Sequence, residues 1–398
     1  MSLRADLRAL PRAVWVQCAA TLVNRAGTMV LPFLLLYLTR DLGLSPSSAG
    51  AIVALYGATA LVTAPFAGHL CDRVGTHRMM TASLLLSGLV LLAFPVARTP
   101  LAVAVATVLW AVISEVFRPA SLAAIASAVG PEQRKTAFAV NRLAINLGMS
   151  LGPALGGFLA TWSYGALFIA DGLTSLAAAA ILAKAGRPDR VHAAETPAAA
   201  RPESRPAHRD RRLLVLLLGV LPVAVVFFQH VAAMALFLVR DLGFSEASYG
   251  LLATLNTLLV VAFEVPLNAA MARWPTGKTL ALGSVLTGAG FGLLAFAHAP
   301  GMVVVSVVVW TFGEIVLFPG LNAAVADLAP EARRGEYMGL YMMAFNLAFA
   351  IGPWAGTAIL ETWGGPTLWA GTFLAGLLSA ILLSRTATPH VGAEEGKP

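Results

Sequence analysis

Long apolar stretches separated by short polar breaks run from about residue 13 to about residue 385. A helix crossing a bilayer needs about 20 predominantly apolar residues. The pattern predicts twelve such spans, at residues 13–39, 47–71, 77–97, 100–129, 136–160 and 164–184, then 213–239, 246–272, 277–298, 301–328, 334–360 and 366–385. Membrane strands are excluded, because they alternate apolar and polar positions over roughly ten residues, whereas Leu213 to Val226 shows no alternation. The expected fold class is an all-α integral membrane protein.

Composition agrees: 58% of the 398 residues are apolar and 12% charged, against roughly 25% charged in a soluble domain. Cys18 and Cys71 are too few for a disulfide framework or a zinc site and read as packing residues; no metal and no cofactor is expected. Arg4, Arg8 and Arg12 precede an apolar run that continues to about Leu38, too long for a cleaved signal, so it is read as a retained first span. Charge then sets the orientation. With the N-terminus inside, 21 of the 27 Lys and Arg fall on the cytoplasmic side, while Arg40, Arg98 and Arg240 fall outside and Arg25, Arg118 and Arg142 lie within spans. The positive-inside rule places both termini in the cytoplasm, and this bias accounts for the formal net charge of +7 without a nucleic-acid partner.

The chain repeats itself. Leu38-Thr39-Arg40-Asp41-Leu42-Gly43 recurs 200 positions later as Leu238-Val239-Arg240-Asp241-Leu242-Gly243, and the same offset relates Trp110 to Trp310, Pro119 to Pro319, Asn146 to Asn346, Gly152-Pro153 to Gly352-Pro353 and Gly156 to Gly356. Six spans is an even number, so both halves enter the membrane in the same direction, related by an axis along the membrane normal. The expected organisation is an N-terminal six-helix bundle over 1–184, a cytoplasmic linker over 185–212 rich in Pro, Ala and Arg, and a C-terminal six-helix bundle over 213–398. Parallel repeats of this kind build secondary transporters, with the substrate site near the midplane between halves. One chain supplies both halves, so a monomer is expected. There is no Walker loop, no His-Glu-x-x-His and no Gly-x-Ser-x-Gly; the chain is not read as an enzyme, and its energy source is an ion or substrate gradient.

Two motifs add detail. Between spans two and three the chain reads Gly68-His69-Leu70-Cys71-Asp72-Arg73-Val74-Gly75-Thr76-His77-Arg78, which resembles the cytoplasmic loop signature of the major facilitator superfamily, Gly-x-Leu-x-Asp-Arg-x-Gly-Arg-Lys, departing at Thr76 and His77. The resemblance implies a cytoplasmic gate at Gly68, Asp72, Arg73, Gly75 and Arg78, with the latch role carried to Asp72 and Arg73. Span five contains Gly148-Met149-Ser150-Leu151-Gly152-Pro153-Ala154-Leu155-Gly156-Gly157. Glycines four apart make one smooth stripe for a close-packed neighbour, and the segment matches the Gly-x-x-x-Gly-Pro-x-x-Gly-Gly signature associated, within that superfamily, with proton-coupled exporters. Over nearly its whole length the chain is similar to the twelve-span drug:proton antiporter family of the major facilitator superfamily, in the manner of bacterial multidrug exporters. Phe117-Arg118-Pro119-Ala120 and the run from Arg142 to Asn146 share that likeness.

Seven ionisable side chains fall inside the predicted spans: Arg25, Glu115, Arg118, Arg142, Asp171, Glu264 and Glu314. At about 3 kcal/mol for each charge at a helix centre, they must be paired, protonated or water-facing. Glu115 and Arg118, three apart, are expected to share a helix face and to form an ion pair. Arg25 has no acid near it in sequence, so its partner must come from another helix, with Glu115 a candidate. Four acids against three bases leave one carboxylate in excess for proton coupling, at Glu115, Asp171, Glu264 or Glu314. Glu314 and Glu264 are favoured because neither has a base within four positions. Asp171 is read alternatively as an extracellular gate or a capped interfacial residue. His230, Asn146 and Asn346 join Arg25, Arg118 and Arg142 as the set assigned to the substrate cavity or a buried charge network, with His230 also readable as a hydrogen-bonded packing residue. Trp110, Trp310, Phe227, Phe228 and Tyr341 offer an apolar lining, the alternative for most of them being plain lipid or helix contacts.

The resulting expectation is alternating access about a cavity lined by spans one, four, seven and ten, in a bacterial cytoplasmic (inner) membrane, with small amphipathic or cationic molecules exported against protons. Two alternatives stand beside it: the same motion serving a lipid, peptide or sugar, and a membrane sensor that does not transport.

Overall fold

The computed structural model describes residues 7, 9–186, 206–271, 273–330 and 333–385, leaving aside the side chains at 64, 65, 68, 69, 72, 131, 132 and 135. Among the described residues every regular element is helical. Eleven helices are long and apolar enough to cross a membrane. The first ten cover Arg12–Asp41, Pro46–Val74, Thr76–Val96, Pro100–Ala128, Pro131–Trp162, Tyr164–Ala185, Arg211–Asp241, Glu246–Met271, Thr276–Phe296 and Pro300–Leu328. The last, Arg334–Ser384, has 51 residues, which at 1.5 Å per residue measures about 77 Å, more than twice the hydrocarbon core. It is two spans, parted at Gly364, whose φ of 79° and ψ of 173° break the helix in a region open to glycine. Twelve spans result, numbered here 1 to 12 in chain order.

The turns follow local chemistry. Span 2 starts with Pro46 in its first turn and Ser45 accepting the Ser48 N–H, an ordinary N-cap. It ends at Gly75, whose φ of 95° only glycine adopts without strain, so that one residue separates spans 2 and 3. The duplicated hexapeptide takes the same shape twice. Tyr37–Asp41 and Phe237–Asp241 are both wide π-type turns, and Leu42 and Leu242 donate their N–H groups to the carbonyls of Tyr37 and Phe237 at 3.2 and 3.0 Å.

The described chain forms two compact units. The first takes in Met1–Pro197 with His230–Thr257 and Pro353–Glu361. Its core holds Ala20, Met80, Leu84, Phe117, Ala120 and Ala178, with a second cluster of Val14, Cys18, Ile125, Ala137 and Ala144. Cys18 and Cys71 are buried free thiols. The second unit takes in Ala198–Gln229, Leu258–Gly352 and Thr362–Pro398, around Leu213, Val220, Leu280, Leu317, Leu321, Tyr341 and Leu383. The linker expected over 185–212 lies largely outside the described residues. Its described end is fixed to the second unit: Ala207 N–H donates to Glu336 at 2.8 Å, and the Tyr337 hydroxyl donates to Asp210 at 2.7 Å.

Candidate functional site: the broken first span and its neighbours

Span 1 is two helices, Arg12–Ala26 and Val30–Leu36, separated at Gly27 to Met29. The break frees N–H groups at the start of the second piece, and the Asp171 carboxylate of span 6, only 4% exposed, accepts from Met29 N and Val30 N at 3.1 Å each. Asp171 thus sits as a cap on span 1 rather than at a loop. Span 5 backs the same break. A methyl group on Gly148 would lie 2.5 Å from Arg25 Cβ, one on Gly152 3.0 Å from the Thr28 carbonyl oxygen, and one on Gly156 3.1 Å from Met29 Cβ. The glycine stripe, with Pro153, is therefore the surface that lets span 5 lie against the broken segment.

Arg25 ends the first helix of span 1. Its Nε is buried and finds no hydrogen-bond partner, and the groups acting on its charge are Tyr56, Arg118, Glu115 and Asp171. Glu115 accepts from the Tyr56 hydroxyl of span 2 at 3.2 Å, and that hydroxyl lies 2.9 Å from Ser114 Oγ. The expected Glu115–Arg118 ion pair is absent: no such contact falls within 4.0 Å, Glu115 being half-buried and Arg118 exposed. Span 4 is interrupted between Pro100–Ser114 and Phe117–Ala128 at this point, where Pro119 offers no N–H to the Glu115 carbonyl; span 10 carries Pro319 at the matching place inside an unbroken helix. Three-residue spacing on its own does not make an ion pair here: the Glu115 carboxylate is taken by Tyr56. Arg142 and Asn146 lie on span 5, exposed and half-buried respectively.

In the second half, Glu264 on span 8 and Glu314 on span 10 are half-buried. These spans touch beside both acids: the Phe263 and Phe312 ring centroids are 5.4 Å apart, and Asn268 Nδ2 donates to the Glu264 carbonyl at 2.7 Å and to the Ile315 carbonyl at 3.1 Å. The latter carbonyl is the one Pro319 leaves unpaired. His230 lies in the irregular stretch of span 7, its carbonyl accepting from the Tyr249 hydroxyl at 2.8 Å, and Asn346 is half-buried on span 11. Trp110 and Trp310 are 5% and 4% exposed, packed against Tyr56 and Phe291 with centroids 5.0 and 5.3 Å apart; of the two readings these two tryptophans follow the packing one. Of the cytoplasmic gate, Arg73 and Arg78 are exposed beside the Gly75 turn, while the side-chain positions of Gly68 and Asp72 lie outside those described.

A cluster that the sequence alone did not reveal ties the C-terminal end of span 1 to spans 6 and 8 within the first unit. Arg40 Nη1 meets Glu246 Oε1 at 2.7 Å, the Tyr164 hydroxyl donates to the same oxygen at 2.7 Å, and Arg40 Nη2 donates to the Val239 carbonyl at 3.2 Å. Ser47 N–H donates to Glu361 at 2.9 Å. Beneath them the Thr254 hydroxyl donates to the Ser150 carbonyl at 2.8 Å, and Gly250 and Gly157 bring span 8 against span 5, with Pro153 carbonyl in contact. Segments from both sequence halves meet here within the first unit. Only the doubled Arg40/Arg240 pointed to this cluster; Glu246 aligns with Pro46, so its partnership was invisible to the repeat.

Twelve helices in two parallel repeats, with ionisable groups held inside apolar spans, define a multi-pass membrane transporter. The model of the Major Facilitator Superfamily matches residues 18–239 and again 216–397, and the chain belongs to that family. It is 26% identical over 372 residues to the uncharacterized MFS-type transporter YqjV of Bacillus subtilis, covering 91% of this chain and 90% of the relative. A Na(+), Li(+), K(+)/H(+) antiporter of Planococcus maritimus is 22% identical, with 83% and 85% covered. The quinolone resistance protein NorA of Staphylococcus aureus is 29% identical over 136 residues, 34% of this chain and 35% of that one. Among solved structures, a peptide transporter POT in complex with sulfate superposes with a TM-score of 0.78 at 18% identity, covering 95% and 96% of the two chains, a likeness of fold.

Proposed function

We propose that this transporter exports small amphipathic or cationic molecules in exchange for protons, by alternating access, from a bacterial cytoplasmic membrane in which both termini face the cytoplasm. The observation that carries the reading is Glu115, a carboxylate inside the apolar layer that is held by the neutral Tyr56 hydroxyl rather than by an ion pair. A carboxylate bonded in this way keeps the capacity to take up a proton, and Arg25 and Arg118 stand by to respond to its charge. Glu314 and Glu264 supply the further protonatable groups, and the stripe of Gly148, Gly152 and Gly156 against span 1 gives the exporter signature a mechanical role. The resistance protein among the relatives supports a drug-like cargo, and the alkali-cation antiporter supports an exchange with protons.

One proton crossing 100 mV supplies about 2.3 kcal/mol, which sustains a roughly fortyfold cargo gradient at 1.4 kcal/mol per decade. The test uses purified protein in sealed vesicles with an imposed pH difference, following a fluorescent lipophilic cation and, in a parallel arm, Na(+) or K(+). Cargo movement that a protonophore abolishes is expected. Movement that persists at full rate after the pH difference has collapsed removes proton coupling from the account.

A further inference from the structure

The break in span 1 creates two helix ends within the apolar layer, and each is met by an opposite charge. Arg25 lies in the last turn of Arg12–Ala26, a cation at the negative end of that helix. Asp171 meets the first amides of Val30–Leu36, an anion at the positive end. The glycine stripe of span 5 closes the other side, since no side chain fits at Gly148 or Gly152 without displacing Arg25 or the Thr28 carbonyl.

The second half repeats the break without the charges. Span 7 loses regular helix over Phe228 to Ala232, yet the positions matching Arg25 and Asp171 are Val225 and Gly371. A neutral pin holds it instead: the Gln229 amide donates to the Gly352 and Val225 carbonyls at 3.0 and 2.9 Å. A broken span therefore needs no buried charge pair to be stable in this fold, and the pair in the first half calls for another explanation.

We propose that Asp171 is a positioning residue for proton coupling: its carboxylate, through the Met29 and Val30 amides, holds the break of span 1 and so presents Arg25 to the Glu115–Tyr56 pair. This rests on the proton-coupled reading above. The groups facing Arg25 are Tyr56 of span 2, Glu115 and Arg118 of span 4 and Asp171 of span 6; the charged group facing Asp171 is Arg25. Arg25 Nε carries an unused donor, so the guanidinium holds a hydrogen bond in reserve for a carboxylate that gains charge. Glu115 exchanges the proton, and Asp171 keeps the guanidinium where it registers the exchange.

The test compares the wild type with Asp171→Asn and Asp171→Glu, measuring hydrogen exchange of the 27–31 segment and the pH profile of gradient-driven uptake in vesicles. Asn keeps the size and loses the charge; the exchange of the Met29 and Val30 amides is expected to rise about tenfold, charge-assisted bonds being roughly twice as strong as neutral ones. With one negative charge gone, the field of Arg25 at Glu115 is less offset, so protonating Glu115 takes more acid and the half-maximal pH of uptake moves down by about one unit. Glu keeps the charge but displaces the cap, and is expected to raise exchange while leaving the pH midpoint near that of the wild type; it also serves if the Asn variant does not fold. Unchanged amide exchange in both variants overturns the capping role. A pH midpoint that stays put in Asp171→Asn reduces Asp171 to a structural cap and overturns the coupling role. Wild-type uptake indifferent to pH overturns this proposal together with the reading it rests on, which separates that failure from the other two.

Discussion

Glu246→Gln tests whether the cluster at Arg40 works as a gate. The Glu246 carboxylate receives Arg40 and Tyr164 at 2.7 Å each, with side-chain exposures of 11% for Glu246 and 45% for Arg40. Removing one partner of a fully buried pair costs about 3–5 kcal/mol, while an exposed pair is worth about 0.2–1 kcal/mol. With the acid buried and the guanidinium nearly half in solvent, the loss should fall at about 1–2 kcal/mol, because Gln keeps the shape and the Tyr164 bond. At 1.4 kcal/mol per decade this is roughly a 5- to 30-fold shift in the ratio of closed to open forms of that face. In a background with Cys18 and Cys71 replaced by Ala, a single cysteine at Thr254, which lies beneath the cluster on Ser150, should react faster with a membrane-impermeant maleimide by that factor. Salt should speed the reaction of the Glu246-containing protein, since the pair is partly screened, and should have little effect once Gln is present. Equal labelling rates with and without Glu246→Gln would refute the gate.

Three further outcomes follow from packing and capping. Gly148→Ala places a methyl group 2.5 Å from Arg25 Cβ, so span 1 must move; uptake should fall well below wild type while Gly301→Ala, whose methyl group meets nothing, transports normally, and equal uptake by the two contradicts the stripe's role. Asn268→Ala leaves the Ile315 carbonyl without the amide that serves it, at a cost of about 0.6–1.7 kcal/mol for a membrane hydrogen bond; the unfolding midpoint in detergent should drop, and the drop should shrink in a Pro319→Ala background that restores the backbone donor. Burial pushes the Asp210 carboxyl up, but the Tyr337 hydroxyl, the Arg212 and Leu213 amides and the Arg212 charge outweigh it and hold it below the usual carboxylate range. A group depressed in the folded state stabilises above its unfolded value, about 3.9, and loses that contribution as pH falls through the folded one. The thermal midpoint should therefore decline below about pH 4 in the wild type and respond less in Asp210→Asn, and parallel curves would contradict it.

The twelve spans were legible because apolar length is a property of the chain itself: the expected 213–239 and 301–328 lie within Arg211–Asp241 and Pro300–Leu328. The glycine stripe was equally visible, since its spacing of four is written in one helix. What escaped were relations between helices. Glu115 and Arg118 looked paired by spacing, yet the Glu115 carboxylate takes the Tyr56 hydroxyl of another span, 59 positions away, instead. Asp171 finds the Met29 amide 142 positions away and Arg40 finds Glu246 across 206, separations that no local pattern encodes. The repeat itself misled where the halves diverged. It preserved the breaks of spans 1 and 7, the π-type turns and the Gly-Pro pairs, which are matters of backbone shape, while the side chains at matching positions changed from Arg25 and Asp171 to Val225 and Gly371. Backbone shape is thus kept in duplicate, whereas the Arg25 and Asp171 charges are kept in one copy. An evenly shared role would predict that neutralising acids in either half damages pH dependence equally. The asymmetry predicts instead that Glu115→Gln flattens the pH profile of uptake more than Glu264→Gln does, and equal flattening would return the coupling to both halves.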